Sequence, residues 1–324
     1  MAKEQISSTL EIEDAADVRL AFAQLIDSLA SKGKASLSRE LAEIAVKHRI
    51  WNEPMQRPHQ HFVRSIKGSP LVDTSEFWFV PYLEQHFEGI LQEVNAVRDP
   101  KDSGFTAVDG PYEPFLYKGG KWEHAILYHD GVRFNETCKL FPFTTAVLEA
   151  IPEVTTDSWG LAYISWLHPG THITAHCGPS NGRLRLHMGI KVPSGVKMRV
   201  ADQEFTWTPG KCVVFDDSYE HEVWHNGDEP RIILLLDFLH PDLEERERAR
   251  IMRTLRPSEE DKILEFLKEN QIEQLKLNEN REIVAYPTAP VVAMIKHKMK
   301  ELGFQSVRNE NGTLVVEGRK DHSS

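Results

Sequence analysis

The chain has 324 residues, a formal charge of −11 and an apolar fraction of 40% with 9% aromatics. That is enough apolar chain for one large domain with additions or for two domains, and the acidic balance excludes broad nucleic-acid binding, which needs a basic face. No run of about 18 apolar residues occurs, so no membrane span is expected; MAKEQISSTLEIEDAADV lacks the apolar core of a secretory signal, and Cys138, Cys177 and Cys212, dispersed and without a CxxC pair, are expected as reduced thiols in a cytoplasmic protein.

In chain order, residues 14–32 carry Val18, Phe22, Leu25 and Leu29 on one helical face, with Gly33 as the stop. Residues 37–49 repeat the pattern with Leu41, Ile44 and Ala45, capped by Ser36 or Ser38, which predicts a helical hairpin. Trp51–Pro58 is turn-rich, 76–97 has helical spacing (Phe79, Tyr82, Leu83, Phe87, Ile90, Leu91), and 100–120 reads as loop. Lys121–Asp130 reads as a strand and Phe143–Ile151 as a short helix.

From Trp159 the pattern changes to short strands: Leu161–Leu167, His172–His176, Arg183–Val192, Lys197–Ala201, Glu204–Thr208, Cys212–Phe215, His221–His225 and Arg231–Phe238. Turns such as Pro169–Gly170, Gly178–Gly182, Pro193–Gly195, Pro209–Gly210 and Asn226–Gly227 separate them. This rhythm predicts an antiparallel double sheet or barrel. Leu243–Leu255 follows as a charged helix, then helices at 259–269 and 290–302 and a hairpin Ser306–Glu317 around Asn311–Gly312.

The chemistry concentrates in two stretches, Ser165–His187 and Phe215–Phe238. His168, His172 and His176 have a spacing that would line a helix, but Pro169 and Gly170 oppose one there. On a strand one or two of them could ligate a metal, and the spacing does not say which. Arg183, Arg185 and His187 alternate with Leu184, Leu186 and Met188, so the cationic side faces solvent or a barrel interior. Two guanidinium forks there suit either a carboxylate pocket or a surface salt-bridge ladder. Arg231 opens the apolar strand IILLLDF; a buried guanidinium at that place needs an anion, from Asp216, Asp217, Asp237 or a ligand.

The combination of HPGTHITAHCGPSNGRLRLHMGI (His168–Ile190), W-x-x-GK-x-x-x-FDDSYEHEVW (Trp207–Trp224), Arg231 and HPDL (His240–Leu243) resembles the catalytic domain of the aspartyl/asparaginyl β-hydroxylase family. Weaker similarity reaches back to Trp51 through WNEPMQRP and Lys121–Trp122, and covers neither the first 50 residues nor those after about 255. The resemblance implies a double-stranded β-helix (jelly-roll, cupin-like) oxygenase that uses Fe(II), 2-oxoglutarate and O2. It implies that His176 and His221 ligate the iron, and that Arg231 and Ser165 hold the distal carboxylate of 2-oxoglutarate. Arg185 and His187 would contact its other end, Trp122 would line the same pocket, and Arg183 would be free for a substrate carboxylate. Most enzymes of this mechanism add an acidic ligand two residues after the first histidine. Gly178 stands there, as the family pattern has it, and the resemblance supports water in that place over Asp216, Asp217 or Glu220. The membrane anchor and disulfide of the animal members have no counterpart in this sequence, so their compartment and EGF-like substrates are not carried over.

The expected architecture is therefore mainly β with flanking helices: a helical segment at 1–50, an oxygenase domain at 51–256 and a small α+β extension at 257–324. The expected function is hydroxylation of the β-carbon of an aspartyl, asparaginyl or similar residue, peptide-borne, free or tethered to a carrier protein. No nucleic acid or membrane partner is expected. The alternatives are a non-catalytic jelly-roll that senses 2-oxoglutarate or a related diacid, and a hydrolytic zinc protein built on His168, His172 and His176.

Overall fold

The structure is a computed structural model that describes residues 15–97, 100–108, 116–255 and strands at 275–277, 283–285, 306–310 and 313–317. The chain divides into two compact units, Met1–Met252 and Arg253–Ser324.

The first unit opens with the expected hairpin, α1 (Ala15–Ser31) and α2 (Ala35–Lys47). Gly33, at φ 71°, ends α1: its N–H bonds to Ala30 and that of Lys34 to Leu29, the paired bonds of a left-handed helix stop. The buried face differs from the expected one. Ala23 and Ile26 pack with Ala42, Ala45 and Trp51, while Val18 and Leu25 are 48% and 52% exposed. The small alanines form the core of this cluster, and the Ser38 hydroxyl bonds to the Ile26 carbonyl at 3.0 Å. Ser38 is thus a cross-helix bond, not a cap, and α2 begins without a side-chain cap.

The expected helix over 76–97 is three pieces: a 3-10 turn at Thr74–Glu76, α3 (Phe79–Gln85) and α4 (Phe87–Ala96), the last two meeting at His86. Further on lie α5 (Asn135–Leu140) and α6 (Pro142–Glu149). Glu93 of α4 accepts from the Phe143 and Thr144 N–H groups at 2.6 and 2.7 Å, so a carboxylate from one helix satisfies the N-terminus of another.

The strands are β1 (Leu71–Val72), β2 (Thr106–Ala107), β3 (Tyr117–Lys118), β4 (Trp122–His129) and β5 (Val132–Arg133). Then follow β6 (Leu161–Leu167), β7 (His172–His176), β8 (Arg183–Lys191), β9 (Val196–Val200), β10 (Gln203–Phe205), β11 (Cys212–Phe215), β12 (His221–His225) and β13 (Arg231–Leu239). One sheet has the order β1-β11-β8-β13-β6-β4-β2, with β5 beside β4; the other runs β10-β9-β12-β7-β3. From β6 the chain passes back and forth between the two sheets, and the last strand, β13, returns between β8 and β6. All pairings are antiparallel. This is the double-stranded β-helix expected from the turn rhythm.

Every residue of β13 is buried. Ile232, Leu234, Leu236 and Phe238 join Leu184, Leu186 and Met188 in a core covered by Leu83, Ile90, Phe141 and Leu148 of the helical layer and its flank. Ile233 and Leu235 face the other way, into a second core between the sheets with Tyr163, Leu167, Met198, Phe215 and Val223. Arg183, Arg185 and His187, of opposite parity to those leucines, therefore line the interior between the sheets.

After α7 (Glu245–Leu255), the described part of the second unit is a four-stranded antiparallel sheet. It consists of β14 (Leu275–Leu277), β15 (Ile283–Ala285), β16 (Ser306–Glu310) and β17 (Thr313–Glu317), in the order β14-β15-β17-β16. The expected hairpin is β16–β17; its turn and the helices expected at 259–269 and 290–302 lie outside the described residues. The described residues hold no helix long and apolar enough to cross a membrane.

Candidate active site

His176 ends β7 and His221 begins β12, and the two are paired across the strands. A register shift between His221 and Val223 marks a bulge at this place, a common device for re-aiming a side chain. The two rings lie 4.1 Å apart between centroids. Nδ1 of His176 is 2.8 Å from the Thr174 carbonyl and Nδ1 of His221 is 2.9 Å from the Tyr219 carbonyl. A carbonyl only accepts, so each Nδ1 carries the proton and each Nε2 keeps a free lone pair. Burial depresses both pKa values, that of His221 strongly, with the partner ring adding to it. Both imidazoles are held in the neutral form that ligates metals.

The segment before β1 fixes this pair. Gln56 donates to Asp216 at 2.9 Å, Arg57 donates to Glu220 at 2.8 Å, and the Glu220 N–H bonds to the Met55 carbonyl at 2.7 Å. The Asn181 side chain bonds both backbone groups of Val63. The turns flanking β7 and β12 are thereby tied to one crossing strap.

Of the three acids weighed as a third ligand, Asp216 is engaged by Ser218 and Gln56, and Glu220 by Arg57 and Arg199. Asp217 is engaged by Arg183 and Arg185 and, like Glu220, acts electrostatically on His176. A Cβ on Gly178 would lie 2.5 Å from the Asp217 Cγ, so glycine leaves the room that this carboxylate fills. Its Oδ1 is buried without a partner. Burial works to raise the Asp217 pKa, but Arg185 and Arg183 outweigh it and hold the group ionised. Among the described residues, no set of three His, Cys, Asp or Glu side chains is disposed around a metal-sized space.

Asp216 is a different case. Burial pushes its pKa up to about 7, with the Asp217 charge adding to it. In the unfolded chain it ionises near about 3.9. The folded state binds the proton more tightly between those values, so stability falls as pH rises through that window, by up to about 4 kcal/mol. Asp216→Asn removes this titration; denaturant unfolding from pH 4 to 8 is expected to show a flatter stability profile in the variant than in the parent.

The arginines depart from the expected division. Register places Asp237 of β13 opposite Arg185. Arg185 donates to Asp237 at 2.7 and 3.1 Å and also lies 3.1 Å from Asp217. Arg183 lies 3.2 Å from Asp217 and 3.6 Å from Asp237. The four side chains form a closed, charge-balanced cluster. Arg183 is thus not free for a substrate carboxylate, and Arg185 is already neutralised by protein acids; the cross-strand register, not visible in the sequence, brings them to Asp237.

Arg231 differs from both. It is 2% exposed, and no carboxylate of the described residues pairs with it. Asp217 and Asp237, two of the acids weighed as its partners, belong to the other arginines, and Asp216 to Ser218 and Gln56. Burial lowers its pKa to about 10. Its Nε has no partner, and its guanidinium carbon stands 5.0 Å from the centroid of the Trp207 ring. The neighbouring interior positions carry Ser165, opposite Ile233, and Trp122, opposite Leu167 as Arg231 is. Trp122 Nε1 donates to the Ser165 hydroxyl at 2.9 Å, which leaves the hydroxyl proton available. His187 has both ring nitrogens buried and unpartnered, and burial with Arg185 and Arg231 keeps it neutral.

His168 and His172 do not join this group. His168 bonds to Glu123 and His172 to Glu222, each at 2.7 Å, and His172 stacks on Trp224. The zinc arrangement of three histidines is therefore not formed. Residue reading also missed Trp207 against Arg231. Its signal was the tryptophan of the W-x-x-GK pattern, but a loop residue has no periodicity to say what it touches.

A double-stranded β-helix with two facing neutral histidines and an unpaired interior arginine defines a class of two-histidine jelly-roll protein. Comparison with known proteins narrows it. The family model described as Aspartyl/Asparaginyl beta-hydroxylase matches residues 84–241, and the similarity of that segment supports the family. It is 37% identical over 190 residues to the human aspartyl/asparaginyl beta-hydroxylase, covering 57% of this chain and 24% of that protein. It is 34% identical over 177 residues to the ornithine lipid ester-linked acyl 2-hydroxylase of Rhizobium tropici, covering 53% and 61%. Against human aspartate beta-hydroxylase domain-containing protein 2 the identity is 31% over 199 residues, covering 60% and 53%. The chain thus spans about a quarter of the human enzyme's length. Among solved structures, a predicted oxalate decarboxylase from Thermotoga maritima aligns over 44% of this chain and 99% of its own, at 14% identity and a TM-score of 0.30. The fold assignment rests on the strand order.

Proposed function

We propose that the chain is an iron(II)- and 2-oxoglutarate-dependent hydroxylase. The observation that carries this reading is Arg231, a buried guanidinium without a carboxylate, in the same interior as two neutral histidines with free Nε2 atoms. An unpaired buried charge is costly, and an anionic ligand compensates it. A dicarboxylate anchored there by one end and reaching a metal by the other fits both features. Imidazole nitrogen suits Fe(II), so the donor set fits the ion.

Iron with 2-oxoglutarate and O2 supplies the oxidant for C–H hydroxylation, with succinate and CO2 as products. His176 and His221 hold the metal, and the Thr174 and Tyr219 carbonyls keep their rings oriented. Arg231 and the Ser165 hydroxyl bind the distal carboxylate, with Trp122 fixing Ser165. His187 stands within the charge field of both Arg185 and Arg231 and donates toward the cosubstrate. Arg183, whose Nε is unpartnered, presents a donor to the substrate from a neutral cluster. Because Asp217 and Asp237 already balance the cluster, that donor suits a neutral carbonyl or amide oxygen rather than a carboxylate.

The activities named for these relatives point to one kind of carbon. The β-carbon of aspartate and carbon 2 of an acyl chain both adjoin a carbonyl carbon. The proposed substrate is an aspartyl, asparaginyl or similar amino-acid residue, peptide-borne, free or carrier-tethered, hydroxylated at that place.

The test is an anaerobic titration of the full chain with Fe(II) and then 2-oxoglutarate. A visible charge-transfer band that needs both additions, and is lost in His176→Ala and in His221→Ala, is the expected result. No band from a folded protein overturns the reading. Binding of 2-oxoglutarate without turnover of any carbonyl-adjacent substrate would move the assignment to a diacid sensor.

A further inference from the structure

The unpaired Arg231 raises a question that the histidines do not answer: what holds its guanidinium in place before an anion arrives. The usual restraint on a buried arginine is a carboxylate, and none of the described residues supplies one. Its strand neighbours on the same face are Ile233 and Leu235, which offer no acceptor. Trp207 does offer something. The residue is 2% exposed, and its ring centroid lies 5.0 Å from the guanidinium carbon. The electron-rich face of an indole attracts a cation, most strongly where water is excluded.

Trp207 is itself fixed by aromatic neighbours. Phe205 meets it edge-on at 5.8 Å, and His187 lies 5.9 Å away with its plane tilted 30° from the indole. Its Nε1 is buried without an acceptor, as are Arg231 Nε and both nitrogens of His187. Three adjoining side chains therefore leave four buried nitrogens unbonded. Native interiors rarely leave one polar group so, and each buried orphan donor is costly.

We propose that Trp207 is a positioning residue of the anion pocket, its ring face holding the Arg231 fork ready for a ligand carboxylate in place of a protein carboxylate. This rests on the reading of the site as a 2-oxoglutarate pocket. The arrangement has a functional logic. A protein carboxylate would hold Arg231 equally well but would compete with the ligand. A π face restrains the cation without occupying a hydrogen-bond donor, and the Arg231 Nε has no partner. Trp207 acts through Arg231, so its loss is expected to fall chiefly on ligands that use Arg231.

That selectivity gives the test. Binding of 2-oxoglutarate and of 2-oxopentanoate, which has the same chain without the distal carboxylate, is measured calorimetrically on the Mn(II)-loaded full chain. Trp207→Leu is expected to weaken 2-oxoglutarate at least about ten-fold while 2-oxopentanoate changes less than about three-fold. Combined with Arg231→Met, it is expected to add no further loss for 2-oxoglutarate, because the two residues act as one unit. Trp207→Phe keeps a weaker ring; a smaller, still dicarboxylate-selective loss is expected, and this variant decides the matter if the leucine variant does not fold. Equal weakening of both ligands would make Trp207 merely structural and overturn the proposal, as would undiminished 2-oxoglutarate binding. If the parent protein itself does not prefer 2-oxoglutarate to 2-oxopentanoate, the pocket reading falls and takes this inference with it. A parent preference that vanishes in Arg231→Met but persists in Trp207→Leu overturns the role of Trp207 alone.

Discussion

His221→Ala is expected to give a folded protein that retains no iron(II) and has no measurable turnover. Among the described residues, His176 and His221 are the facing imidazole pair with free Nε2 atoms, so removing one leaves a single member of the proposed ligand pair. Loss of metal affinity by more than about 100-fold is expected, since removing even outer partners of ligands costs up to that much. The fold survives because β12 is held by backbone pairing to β7 on one side and β9 on the other. The side chain packs against His176 and Phe215, and its truncation is expected to cost about 1–3 kcal/mol. Metal analysis after anaerobic loading, with circular dichroism and urea unfolding alongside, checks both halves. Full iron retention in a folded His221→Ala protein would remove the histidine from the centre.

Arg231→Met is expected to act with opposite sign on stability and on ligand binding. In the ligand-free protein, burial holds the Arg231 pKa at about 10, below its ordinary 12.5. A cation whose pKa falls on folding destabilises the fold at every pH below the lowered value. At neutral pH that cost is about 3 kcal/mol, at about 1.4 kcal/mol per pKa unit. Methionine fills much of the same volume without charge, so the ligand-free variant is expected to be as stable as the parent or up to about 3 kcal/mol more stable. The affinity for 2-oxoglutarate is expected to fall by about two to four orders of magnitude, since breaking a buried ion pair costs about 3–5 kcal/mol. Thermal unfolding with and without 2-oxoglutarate reads both effects. The parent gains stability on adding the ligand and the variant does not. A variant both less stable and unchanged in ligand response would show Arg231 to be structural.

Much of the frame was legible because local chemistry announces it. Turn pairs such as Pro169–Gly170 and Asn226–Gly227 punctuate the chain, and the strict alternation of Arg183–Met188 assigns the two faces of β8 from residue type alone. The α1 stop at Gly33 was legible for the same reason. The first helix itself was legible, but its buried face only in part: of Val18, Phe22, Leu25 and Leu29, Phe22 packs against the cluster, while Ala23 and Ile26 form its buried centre and Val18 and Leu25 are exposed. The long helix expected over 76–97 broke at His86, which ends α3 and precedes α4 outside helical geometry while the apolar periodicity continues.

The site divides along the same line. The histidine pair, Ser165, His187 and Arg231 stand on strands whose positions the motif marks, and the sequence by itself determined that these residue types exist at those spacings. It also determined the parity that turns Arg185 and His187 to one side. Which charges meet is a property of register between strands distant in sequence. Asp237 lies opposite Arg185 only because β13 returns between β6 and β8. In a strand buried on both faces, alternation is hidden by apolar residues throughout, so Arg231 and Asp237 could not be placed on the inner face by pattern alone. The tertiary structure alone decided that two arginines are neutralised within the protein and the third is not. It did so through cross-strand pairing, which joins Arg185 to an acid 52 residues away, and through burial, which places Arg231 where no carboxylate of the described residues pairs with it.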